Sequence, residues 1–138
     1  MKTPMGRRAG GRRGSTLLES TLVLLSFAVL TGGIMEVGIT GMAANAVSFA
    51  AQRAARYASV RGSASGHPAA KADIQAIAQQ YAAPLNPSSV TATVAWTPNN
   101  GPGSTVQVVV SYTITPAFLP IDGGALTLSG TACQIVVQ

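Results

Sequence analysis

From Leu17 to Met35 the chain runs nineteen residues with one charge, Glu19. As an α-helix that run is about 28 Å long at 1.5 Å per residue, close to the hydrocarbon thickness of a bilayer. A segment of this kind must either be buried in a large core or cross a membrane. The remaining residues could not make the large core. Of 138 residues only 5% are aromatic, so bulky side chains to wrap a nineteen-residue greasy helix are missing. One membrane span followed by one small domain is the arrangement that length and composition allow.

Charge gives the span a direction. The net charge is +5, and Lys2, Arg7, Arg8, Arg12 and Arg13 supply all of it before Gly14. After Gly14, Arg53, Arg56, Arg61 and Lys71 balance Glu19, Glu36, Asp73 and Asp122. Basic residues beside an apolar segment stay in the cytoplasm, which places residues 1–14 inside and the C-terminal part outside. Because the basicity ends with the leader, no basic stripe interleaved with aromatics remains, and nucleic-acid binding is not expected. Arg12-Arg13 does not read as a twin-arginine signal, since Gly14-Ser15-Thr16 lacks the large apolar residues that should follow.

Glu19 is the anomaly of the span. An ionised carboxylate at the start of a membrane segment is costly unless it is paired, which makes it a functional candidate. Cutting between Gly14 and Ser15 would create an α-amino group one helical turn from Glu19, and the two charges could pair within or between subunits. The basic leader, Gly14, the apolar helix and a glutamate as the fifth residue after the cut resemble the pattern of type IV prepilins. Gly33-Ile34-Met35-Glu36-Val37-Gly38 and Ala50-Ala51-Gln52-Arg53-Ala54-Ala55-Arg56-Tyr57-Ala58 resemble two further segments of TadE-like minor pilins, or pseudopilins, of tight-adherence (Flp, type IVb) systems.

That resemblance implies partners: a prepilin peptidase cutting after Gly14, other pilin or pseudopilin subunits, and an inner-membrane assembly platform with a secretion ATPase. It implies a single-pass protein of the bacterial inner membrane, or of the extracellular pilus, that serves pilus assembly, adhesion or secretion. Gly14 and Ser15 are then the cleavage site, Glu19 the partner of the new amine, and Glu36, Arg53, Arg56 and Tyr57 family-like positions of the helix. The length exceeds that of a short major pilin, which points to a minor role.

Three regions are expected: a leader at 1–14 without folded structure, a transmembrane and extended helix at 15–61, and a small α+β domain at 62–138. Gly38 and Gly41 weaken the helix where it leaves the membrane, so continuity is expected there, with room for a bend. Beyond them Val47, Ala50, Ala51, Ala54 and Ala58 recur at helical spacing, a shallow face suited to close packing, while Asn45, Ser48, Gln52, Arg56 and Ser59 fall on another side. The breaker cluster Gly62 to Pro68 ends this helix. A shorter one is expected from Ala69 to Ala82, with Ile74, Ile77, Ala78 and Tyr81 as its apolar stripe.

The last third changes period from helix to strand. Val90, Ala92, Val94 and Trp96 alternate with polar or small residues, as do Val106, Val108, Val110, Tyr112 and Ile114. The turn-rich Pro98 to Gly103 between them predicts an antiparallel hairpin. Leu126 to Val137 reads as a third strand, and the long helix is the natural cover for one face of the sheet.

No catalysis is expected. The only histidine, His67, sits in the breaker cluster, and the only cysteine, Cys133, reads as a small buried residue on a strand. With four acids scattered over separate elements, neither a metal site nor a nucleophile with its base can be assembled, and no cofactor is anticipated. Two other readings of the N-terminus compete with the pilin-like one. In the first, an ordinary signal peptide is cut after Ala46, following Ala44-Asn45-Ala46, and releases a secreted binding module. In the second, the chain is an unprocessed single-pass anchor.

Overall fold

The computed structural model describes residues 12–116 and 124–138. A helix of 48 residues, α1 (Arg12–Ser59), precedes an 11-residue helix α2 (Lys71–Tyr81), a single 3-10 turn at Pro87–Ser89 and three strands: β1 (Val90–Thr97), β2 (Thr105–Ile114) and β3 (Leu126–Ile135). The strands form an antiparallel meander in the order β1-β2-β3. The fold is α+β, with α1 across β2 and β3 and α2 beside β1 on the same face of the sheet.

One feature of α1 departs from the sequence expectation, and a second agrees with it. The helix begins at Arg12, so the last three leader residues are helical. Arginine is a good helix former, and an established helix gains one hydrogen bond per residue as it extends, enough to carry it across Gly14. Second, α1 is unbroken through Gly38 and Gly41. Each glycine costs about 1 kcal/mol relative to alanine, which the hydrogen bonds on either side tolerate.

The core is built from small side chains. Val47, Ala50, Ala51, Ala54, Ala55 and Ala58 are fully buried along one side of α1 and cluster with Val106, Val108 and Val110 of β2. Ile74 and Ala78 of α2 complete this layer over Val90. Lacking long side chains as spacers, helix and sheet come close together. At Gly130 of β3 the approach is closest. A Cβ built there would lie 2.7 Å from Ser48 Cα, 2.8 Å from Ser48 N and 2.9 Å from the Val47 carbonyl carbon.

Register sets the two faces of the sheet. Val108 pairs with Val94 and Ala132, and Val110 with Ala92 and Gly130, so these residues point toward the helices. Thr93, Val109 and Thr131 form the neighbouring row on the opposite, open face, and Ala95, Gln107 and Cys133 the next. Cys133 is therefore exposed, contrary to the buried position expected for it. Its parity along β3 is that of Thr131, while the inward positions are Gly130 and Ala132. Ser59, expected on the polar side of α1, is buried. Its hydroxyl donates to the Arg56 carbonyl (2.9 Å), and its own carbonyl accepts from Val137 N (2.9 Å).

The loops clamp the end of α1. Ser63 N donates to the Asn100 carbonyl, Ala69 N to the Arg61 carbonyl and Val136 N to the Ser104 carbonyl, each at 2.8 Å. At the other side of the sheet, Gln75 of α2 covers the edge of β1. Its amide donates to the Val90 carbonyl (2.8 Å) and its oxygen accepts from Ala92 N (2.5 Å), so one side chain stands in for a missing neighbouring strand.

Candidate assembly site on the first helix

The domain grips only the second half of α1. Before Ala43, which is fully buried, the helix carries large apolar side chains in the open, from Leu17 (70% exposed) to Met42 (48%). Residues 15–36 thus form a bare rod about 33 Å long at 1.5 Å per residue, ending where the sheet reaches the helix at Glu36. Its polar groups are prepared for an apolar surrounding. Ser20, Thr21, Ser26 and Thr31 each donate their hydroxyl to the carbonyl four residues back, at 2.8–2.9 Å. A hydroxyl paired inside its own helix can enter hydrocarbon without a desolvated, unmatched donor.

Two carboxylates bracket the uncharged stretch. Glu19 is exposed and lines a shallow groove with Thr16, Ser20, Val23, Leu24 and Phe27. Glu36 lies 17 residues on, about 26 Å along the axis. It is half-buried where the lower end of the sheet meets α1, in an apolar groove shared with Val37, Thr40, Gly41, Ala44, Pro116 and Leu126. Ser15 is exposed one turn before Glu19 on the continuous helix, and Gly14 is within the same helix. The structure therefore sets the candidate cleavage pair and the candidate amine partner on one rod. Residues 1–11 of the expected leader lie outside the described residues.

The remaining candidates stand on the domain half of α1, away from the first group. Arg53 and Arg56 are exposed, and Tyr57 is half-buried. The Arg53 guanidinium lies 5.0 Å from the ring centre of Phe49 and 5.6 Å from that of Tyr81, and these two rings meet edge to face at 6.1 Å. Arg61 stacks on Tyr57 at 4.6 Å and donates to its hydroxyl at 2.9 Å. Arg53 and Arg56 were legible as helix-surface residues. The aromatic partners of Arg53 were not, because Tyr81 comes from α2 and joins Phe49 only in the tertiary fold. The triplet Ala44-Asn45-Ala46 is in the middle of α1, flanked by the buried Ala43 and Val47.

Among the described residues no group of histidine, cysteine, aspartate and glutamate could hold a metal ion. His67 is exposed in the loop after α1. What the arrangement offers is an apolar rod carrying a small domain, with carboxylates at the two ends of its bare section.

Residues 14–56, about a third of the chain, match the family model described as TadE-like protein. No curated protein and no solved structure matches the chain. The matched segment spans the bare rod, both of its carboxylates and the two arginines of the domain half, and over that segment the chain is similar to TadE-like proteins.

Proposed function

We propose that this chain is a minor pilin or pseudopilin of a Tad-type pilus system, inserted in the inner membrane by residues 15–36 and trimmed after Gly14 by a prepilin peptidase. The observation that carries this reading is the bare section of α1, whose Ser20, Thr21, Ser26 and Thr31 hydroxyls are satisfied within the helix and whose only carboxylate before Glu36 is Glu19. Such a rod is stable in lipid, and on leaving lipid it needs another dry environment, which a bundle of sibling helices provides. An ionised Glu19 buried alone in such a bundle is costly. A new α-amino group at Ser15 neutralises it, either within one subunit or between neighbours.

The positive leader holds the N-terminus on the cytoplasmic side before trimming, and the sheet domain stands outside. Assembly then depends on sibling subunits, an inner-membrane platform and a secretion ATPase that lifts subunits out of the bilayer. The end product serves adhesion or secretion. Mass measurement of the protein isolated from its native host tests the reading directly. A chain that starts at Ser15 supports it. A chain starting at Met1 makes the protein a plain anchor, and one starting at Val47 makes it a secreted module.

A further inference from the structure

Once the sheet and α2 have covered one side of α1, a ridge remains open along the other: Met42, Ala46, Phe49, Arg53, Arg56 and Val60. Met42, Phe49 and Val60 are 45–48% exposed. Intervals of four, three, four, three and four residues place these side chains in one seam, the alternation by which a helix presents itself to a second helix. The seam continues the bare face of the membrane half without a break, because α1 itself is unbroken. Its centre is cationic. Among the described residues neither Arg53 nor Arg56 pairs with a carboxylate, and Asp73 is occupied in accepting from Ala70 N (3.2 Å) at the start of α2. Stacking on Phe49 and Tyr81 holds the Arg53 guanidinium in place while leaving its in-plane N–H groups available for a bidentate acceptor.

We propose that this ridge is the docking face for a parallel helix of a different, acidic subunit, which sets Asp or Glu opposite Arg53 and Arg56. The inference rests on the assembly reading above and adds the class of partner. A second copy of this chain does not fit. In register, a parallel pair would set each arginine against its own counterpart inside the seam. Bringing Glu36 of one copy opposite Arg53 of the other requires a slide of 17 residues, about 26 Å, nearly the whole hydrocarbon thickness. Anionic lipid does not fit either, since Arg53 stands that same distance beyond Glu36 on a continuous helix.

The test uses the full-length protein in its native host, with a photo-crosslinking amino acid at Val60 and, separately, at Leu25 in the membrane half. The expected adduct at Val60 joins a helical segment of another protein with Asp or Glu within one turn of the linked residue. Arg53→Glu with Arg56→Glu should lower its yield at least tenfold, and changing the partner's acid to Arg should restore it. Trp96 fluorescence checks that the double variant is folded. Adducts at Val60 to the same chain, to lipid, or to a partner indifferent to charge reversal overturn the proposal. Adducts at Leu25 without any at Val60 overturn it too, while leaving the assembly reading in place. Loss of adducts at both positions sinks the assembly reading as well.

Discussion

Replacing Gly130 by alanine adds one methyl group at the tightest point of the fold. The new Cβ would sit 2.7 Å from Ser48 Cα and 2.8 Å from Ser48 N. Non-bonded carbons rest at about 3.5–4.0 Å, so helix and strand must separate by about 1 Å. No side-chain rotation relieves the clash, because the obstructing atoms are backbone on both sides. Forced overpacking of this kind costs about 1–3 kcal/mol. For a domain of this size each kcal/mol lowers Tm by roughly 4–8 °C, so a mid-range cost of about 2 kcal/mol predicts a fall of about 8–16 °C. Trp96, the single tryptophan, reports the unfolding by its fluorescence in detergent solution. Gly38→Ala is the matched control, because a Cβ at Gly38 meets nothing within 4 Å. Its Tm should stay level or rise slightly, in line with the better helix propensity of alanine. A Gly130→Ala protein that melts within about 2 °C of the parent refutes the argument from close approach.

Three other perturbations probe separate parts of the molecule. Gln75→Ala removes both hydrogen bonds to the outer edge of β1 and should cost about 1–3 kcal/mol, with hydrogen exchange at the Ala92 amide rising first; unchanged exchange there would show that the amide bridge contributes nothing. Cys133 should react with a maleimide in the folded protein, and Cys133→Ser should alter stability by no more than about 0.5 kcal/mol, whereas labelling only after denaturation would contradict its position on the open face. Glu19→Ala should leave trimming after Gly14 intact but strip the amine of its partner, at about 3–5 kcal/mol per buried subunit, so that fibre fractions lose the protein by a hundredfold or more. Wild-type incorporation of that variant would remove Glu19 from the mechanism.

The span and the strands were legible because each has one dominant signal. A nineteen-residue apolar run admits few structures, and the alternation from Val106 to Ile114 fixes both a strand and its buried face. The alanine positions from Val47 to Ala58 were legible as a packing face for the same reason of period. What the sequence hid depends on register or on distant partners. Cys133 looks like a core residue until the pairing with Gln107 puts it on the open side. Ser59 has a polar side chain and a buried place because the C-terminal tail returns to its carbonyl. Gly130 carries no local hint, since its need for hydrogen in place of a side chain comes from a helix some eighty residues earlier. The candidate assembly residues were found through one misplaced charge. The ridge around Arg53 emerges only when the sheet and α2 define which side of the helix is left over.

The uninterrupted passage of α1 from membrane to domain makes the molecule an axle with a rigid flag. Any turn of its foot is delivered in full to the sheet, because no swivel lies between them. Each residue advances the helix by about 100°, so a single insertion between Gly38 and Ala43 would point the domain nearly sideways, while seven would bring it back to within about 20° of its original bearing. The azimuth at which the domain stands relative to the apolar half is thus written in the number of residues between foot and flag.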